Sequence, residues 1–261
     1  MKDRTALKIA LVQMVCEKAA ITDNLAKTAR YIDEAEAKRV DIIAFPETSL
    51  TGYVNPVRHP DMVLRLDGSE VTQVCALTEG KSLTALVGIL EENPNGKPFI
   101  SQLVVRNGQL IDVYRKMTQG EEEDGELEDW HAVGEAIPVF QHDALTFGIA
   151  ICADSGNEHV FAECARQGAR IVFELAAPGL FGDQATRNWE SGFRWWEDDC
   201  RTYLSRYAAT YGMWIAVATQ SGRTMDEDFP GGGYVFAPDG RRVFATPDWS
   251  AGVVYVDIEE I

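Results

Sequence analysis

The sequence predicts an α/β fold in which strands and helices alternate and part of the sheet is antiparallel. Three observations carry that expectation. Residues 145–175 read as a complete unit of strand, tight turn, helix and second strand. Apolar strand patterns and helical patterns alternate along much of the chain, from residue 7 to residue 258. Asn107-Gly108, a strong two-residue hairpin signal, joins two apolar runs and makes them antiparallel neighbours.

Taken in order, residues 7–14 form a first strand pattern, KIALVQM at its end. Residues 24–38 read as a helix capped near Thr22 or Asp23, with Leu25, Ile32 and Ala35 on one face. Residues 41–45 (DIIAF) are the next strand. Residues 69–79 suggest a helix with Ser69 as N-cap and Gly80 as its stop. Three strand patterns follow at 85–91, 99–105 and 109–114. Residues 145–151 then begin the central unit, with a helix over 158–167 closed by Gly168 and a strand from residue 170. Residues 185–212 read as one long helix or a loop plus helix, and the spacing of Trp189, Trp195, Trp196, Tyr203, Tyr207 and Tyr211 suits core or subunit contact better than a binding box. A buried-strand pattern at 213–220, a hairpin of 234–237 with 242–245 around Pro238-Asp239-Gly240, and a last strand at 252–258 complete the chain. No internal repeat or Gly/Pro/Ser-rich linker divides it, so residues 1–261 are read as one domain.

Composition narrows the partners. Asp and Glu number 41 against 24 Lys and Arg, a net charge of −17, which opposes nucleic acid and anionic membrane surfaces. The sequence shows no secretory signal pattern and no apolar run of membrane-spanning length. The five cysteines, at 16, 75, 152, 164 and 200, are odd in number and lack metal-like spacing. A reduced, cytoplasmic setting without a metal site is expected. The four histidines are scattered.

Three chemically distinct side chains fall just past strand ends: Glu47 after 41–45, Lys116 after 109–114 and Cys152 after 145–151. Loops at strand ends are where α/β proteins place chemistry. A thiol nucleophile needs a base, which Glu47 can supply, and a forming oxyanion needs fixed positive charge, which Lys116 can supply. A start of helix just after Cys152 would lower its pKa. Each residue singly reads more simply as a buried cysteine or a solvated loop charge; the three coincidences together favour a catalytic reading.

These pieces resemble the nitrilase superfamily, the carbon–nitrogen hydrolases with a Glu-Lys-Cys triad. The matching segments are Phe45-Pro46-Glu47 with Thr51-Gly52-Tyr53 behind it, Tyr114-Arg115-Lys116, and residues 148–154 (GIAICAD), supported by Gly168-Ala169-Arg170-Ile171-Val172 and by residues 231–240. The resemblance spans nearly the whole chain and is specific as a set. It implies a four-layer αββα sandwich of two mixed sheets with helices outside. It also implies pairing into a homodimer or higher homo-oligomer, and an activity without metal or organic cofactor.

The implied mechanism has Glu47 deprotonating Cys152, whose sulfur attacks an amide carbonyl. Lys116 and backbone N–H groups near Cys152 and Ala153 hold the oxyanion, and Glu47 activates the water that cleaves the thioester. A second catalytic glutamate is implied between the lysine and the cysteine; Glu128, followed by Trp130 and Gly134, fits best and Glu126 next, while the family's frequent His-Leu after the lysine is Met117-Thr118 here. Most of the acidic run at 121–129 is otherwise a solvated loop. Tyr53, Ala153 and Glu174 are the expected substrate-binding residues. Cys152-Ala153-Asp154 resembles the amidase-like branches, so the expected function is hydrolysis of a small amide or ω-amide. An N-carbamoyl substrate is the alternative, and a non-catalytic binding protein of the same fold ranks lower. A cysteine hydrolase using histidine lacks a His at a comparable strand end. Glu174, read as ending its strand beside the nucleophile's, could bind a cationic substrate group or pair with Arg187 or Arg194. The overall charge would then attract cations and repel dicarboxylates.

Overall fold

The computed structural model describes residues 6–121, 127–259 and 261. In chain order the elements begin with β1 (Ala6–Gln13), α1 (Ile21–Ala37), β2 (Ile42–Ala44), β3 (Val63–Leu64), α2 (Ser69–Ala76), β4 (Thr84–Glu91), β5 (Phe99–Arg106) and β6 (Gln109–Arg115). Then come β7 (Phe140–His142), β8 (Leu145–Ile151), α3 (Glu158–Arg166), β9 (Ile171–Ala176), α4 (Trp189–Tyr211) and β10 (Trp214–Thr219). The last strands are β11 (Ser221–Arg223), β12 (Asp228–Pro230), β13 (Gly233–Phe236), β14 (Arg242–Ala245) and β15 (Gly252–Glu259).

Two mixed sheets with helices outside make up the sandwich. The first has the order β15-β1-β2-β4-β5-β6, with β3 on β4; the second has the order β14-β13-β10-β9-β8-β7. In the first sheet β1, β2 and β4 are parallel, and β5 and β6 then run antiparallel in turn. Two reversals return β6 to the direction of β2, so the C-terminal ends of both strands lie on one edge of that sheet. In the second sheet β8, β9 and β10 are parallel neighbours. The sheets face each other through β1 against β10 and β13. Buried Leu, Ile, Val and Phe side chains from both fill the space between them and under the helices.

Local sequence explains most element boundaries. Asn107 and Gly108 both adopt positive φ, 48° and 78°, and close the β5–β6 hairpin with Arg106 opposite Gln109. Gly168 (φ 88°) ends the turn after α3, and Gly212 (φ 63°) caps α4 in the left-handed region. Two expectations are corrected. The first helix starts at Ile21 after Ala20, because Asn24 is not free to lie near a cap: its side chain bonds Glu17 and Leu50 backbone groups. Gly68, not Ser69, is the N-cap of α2, which stops at Ala76. Of the two readings of residues 185–212, loop plus helix is the one observed: the helix starts at Trp189, where the Asn188 side chain accepts from the Ser191 N–H.

Candidate active site

Glu47 sits in the turn that leaves β2, and its neighbours fix that turn rigidly. The Gly88 N–H donates to Ser49 Oγ at 3.0 Å, the Leu50 N–H to the Gly88 carbonyl at 2.9 Å, and Gln102 Nε2 to the Phe45 carbonyl at 3.2 Å. Gly88 is required by close approach: a Cβ there would lie 2.3 Å from the Thr48 nitrogen. Lys116 follows β6 and extends its ladder by donating its N–H to the Ile100 carbonyl at 2.9 Å. Because β2 and β6 end on one edge, the two side chains meet. Lys116 Nζ donates to Glu47 Oε1 at 2.7 Å, with both side chains fully buried. The Ala177 N–H, just past β9, donates to Glu47 Oε2 at 3.0 Å.

Cys152 directly follows β8 and is half-buried, with φ at 48°. A non-glycine residue in that region is strained, and such strain concentrates at functional positions. Its thiol acts on the Glu47 carboxylate by hydrogen bonding, and the Ala177 N–H also favours its thiolate. The expected lowering of the thiol pKa is not found. Burial pushes it well above its ordinary value, the Glu47 charge adds to this, and Lys116 only partly opposes them. The physical reason is local: a short 3₁₀ turn, Cys152–Gly156, follows the cysteine, and α3 starts only at Glu158. A helix terminus acts within its first turn, so it is too far off to help. The resting nucleophile is therefore a thiol that depends on a base. Burial also raises Glu47, against the pull of Lys116, which makes it the stronger base. Lys116 remains an ammonium, since its neighbouring carboxylates outweigh its burial.

Asp154, two residues after the cysteine, joins the sheets at this point. Its carboxylate accepts from Tyr114 Oη at 2.8 Å, from the Met117 N–H at 3.1 Å and from the Ile151 N–H at 3.0 Å. Residues flanking Lys116 and Cys152 are thus bonded to one buried carboxylate. Sequence reasoning used Asp154 only to distinguish branches of a family, and missed this role. A buried acid flanking a nucleophile was the available signal.

Glu128 is brought to the same cavity. Its Oε1 accepts from Tyr53 Oη at 2.5 Å, and His131 Nε2 lies 3.7 Å from its Oε2. Burial would raise this carboxyl, but His131, Lys116 and Tyr53 together hold it below the usual range. Gly120 makes room for it: a Cβ there would be 2.5 Å from Glu128 Oε2. Tyr53 packs edge-on against Trp130, with ring centroids 5.6 Å apart. Glu126, the other candidate for the second glutamate, lies outside the described residues.

A cavity of about 770 Å³ opens over these groups, with Tyr53, Lys116, Glu128, Cys152 and Ala153 in its wall. It is also lined by Arg187, Trp195, Trp196 and Asp199. Glu47 lies behind this wall and reaches the cavity through Lys116 and Cys152. No histidine is among the described residues that line it, and no group of three or more His, Cys, Asp or Glu able to hold a metal occurs among them. No helix among the described residues is long and apolar enough to cross a membrane.

Glu174 departs from its expected place. It lies inside β9, opposite Ala150 and Val217, rather than at the strand's end. It is fully buried, and neither carboxylate oxygen has a hydrogen-bond partner. Neither proposed arginine reaches it: Arg187 pairs with Asp228 and Arg194 with Glu190. An isolated carboxylate is costly to bury, so the group stays protonated; burial first, then Asp154 and Glu47, push its pKa well above normal.

Comparison with known proteins gives the family and the fold. Residues 8–260 match the family described as carbon–nitrogen hydrolase. A formamidase of Allorhizobium ampelinum is 29% identical over 183 residues, covering 67% of this chain and 53% of that protein. A glutamine-dependent NAD(+) synthetase of Acinetobacter baylyi is 24% identical over 260 residues, covering 98% of this chain and 45% of that protein. The chain spans about half the length of both relatives. An amidase from Nesterenkonia sp. has the same fold, with a TM-score of 0.80 at 19% identity over 98% of this chain and 92% of that one.

Proposed function

Because the chain belongs to the carbon–nitrogen hydrolase family, we propose that it hydrolyses the C–N bond of a small amide through a thioester on Cys152. The observation that carries this reading is the buried Glu47–Lys116 pair at 2.7 Å, set against a strained cysteine in the wall of one cavity. Glu47 takes the thiol proton as sulfur attacks the carbonyl carbon. Lys116 faces the oxygen on which charge then develops, and is already charged and desolvated, so little reorganisation is needed. Collapse of the tetrahedral species expels the amine or ammonia after proton transfer from Glu47. The carboxylate then takes a proton from water, which attacks the thioester and frees the acid.

Glu128 completes the set in this reading. Its negative charge adds to that holding Lys116 as an ammonium, and it faces the leaving group. Tyr53 fixes its carboxylate. Amides are favoured as substrates by the names of two relatives, a formamidase and a glutamine-dependent enzyme. The cavity is far larger than formamide needs, which favours a longer amide. A homodimer belongs to the same reading, and sedimentation of the purified protein measures it. Ammonia release from small amides, ω-amides and N-carbamoyl compounds, run beside Cys152→Ala, tests the activity. Turnover of an amide that disappears in the variant is expected; release that persists in Cys152→Ala would refute it.

A further inference from the structure

One buried cation in the cavity wall is left over by the mechanism. The Arg187 side chain, at the end of the loop between β9 and α4, is only 8% exposed and lines the cavity that holds Cys152. Its Nη2 donates to the Gly182 carbonyl, but Nε and Nη1 have no hydrogen-bond partner in the protein. Asp228, 3.4 Å from Nη1, compensates it poorly. That carboxylate already accepts from Gln184 Nε2 at 2.9 Å and Arg223 Nε at 3.1 Å. Two guanidinium groups thus share one buried carboxylate, and Arg187 is left with that single long ion pair and two donors, Nε and Nη1, without a hydrogen-bond acceptor. A buried guanidinium left in that state is costly unless a ligand satisfies it.

We propose that Arg187 is a specificity-determining residue that binds a carboxylate at the far end of the amide substrate, making the preferred substrate class the monoamides of dicarboxylic acids. This rests on the amide reading above and narrows it. Asp199 on α4, half-buried and also in the cavity wall, argues for a cation, and the chemistry of the two groups decides between them. Burial pushes the Asp199 carboxyl up, toward neutrality, whereas a guanidinium cannot discharge. The net charge of −17 does not overturn this. Charges on the outer surface are screened over about 8 Å at physiological ionic strength, while a contact inside the cavity is not. A charge-assisted bond from a desolvated arginine is therefore worth more than the diffuse field.

The test separates binding from chemistry. Cys152→Ala protein, which lacks the nucleophile, is titrated calorimetrically with succinamate, glutaramate and adipamate, with their neutral methyl-ketone counterparts, and with ω-amino amides of matching length. At least one carboxylate amide should bind about 10-fold or more tightly than its ketone. That ratio should fall to near one in Cys152→Ala/Arg187→Gln and be partly retained with Arg187→Lys, each variant checked by its Tm. A ratio near one in the parent, an unchanged ratio in the Gln variant, or a preference for the amino amide would overturn the proposal. Should Arg187→Gln fail to fold, the Lys variant decides: the ratio must drop while remaining above one. Binding selectivity without ammonia release would leave the subsite standing and refute the hydrolase. Hydrolysis of neutral amides with no carboxylate preference would do the reverse.

Discussion

Tyr114 Oη donates to the Asp154 carboxylate at 2.8 Å, across the space between the two sheets. Tyr114 lies two residues before Lys116 and Asp154 two residues after Cys152, so this bond sets the spacing of the cation and the nucleophile. The backbone N–H groups of Met117 and Ile151 converge on the same carboxylate. Asp154 is a positioning residue, acting through the backbone on either side.

Asp154→Asn keeps the volume but cannot accept three donors as well. It should lower kcat by about 10-fold to 100-fold while changing KM little, since small misplacement acts mainly on the transition state. Tyr114→Phe, which removes one donor, should show the same pattern more weakly. Steady-state kinetics on one good amide measure both, with Tm as the check on folding. An effect confined to Tm, with kcat intact, would return Asp154 to a purely structural role.

Glu47→Gln and Lys116→Met remove the base and the oxyanion partner. Each should reduce kcat by about 100-fold or more, in the range seen when one electrostatic contributor is deleted. Near-normal turnover in Lys116→Met would show that the oxyanion is held elsewhere.

The pH dependence follows from Glu47. Burial raises its carboxyl above the ordinary 4.5, and catalysis needs it ionised. Activity should therefore fall as pH drops through that raised value, giving kcat/KM an acid limb above 4.5. A limb at or below 4.5 would mean that the base is a solvated carboxylate instead.

The buried acid Glu174 has a stability signature of opposite sense to a salt-bridged carboxylate. Its folded-state pKa lies above its unfolded one, so its contribution is full below the unfolded value and lost as pH rises through the folded one. One such proton tilts stability by at most about 1.4 kcal/mol per pH unit. Glu174→Gln removes the titration and should flatten the decline of Tm between pH 5 and pH 8. Parallel Tm curves for the two proteins would show that Glu174 does not titrate in this way.

Much of this was legible in the sequence for physical reasons. Strands such as β8 and β10 are mostly apolar runs, and Asn107-Gly108 can do little but turn. Glu47, Lys116 and Cys152 stood out because each falls just past the end of a strand pattern. What was hidden depends on register. Nothing in residues 170–175 shows that Glu174 falls inside β9, because pairing with β8 and β10 decides it. The thiol pKa of Cys152 depends on burial between layers, and the 3₁₀ turn Cys152–Gly156 that precedes α3 carries no clear sequence mark. Arg187 entered the sequence reading only as a possible partner of Glu174, since its place beside the cavity comes from the β9–α4 loop and from Asp228, 41 positions away.

The central claim is that Cys152 carries the acyl group. The most direct measurement is mass spectrometry of the wild-type protein, acid-quenched during turnover of a good amide and digested to peptides. The expected result is an added acyl mass, less the lost amine, on the peptide containing Cys152, with Cys16, Cys75, Cys164 and Cys200 unmodified. Those four are buried, and burial holds the Cys164 thiol at about 12. An acyl group on another residue, or full turnover with no adduct in a Cys152→Ala protein, would contradict the account.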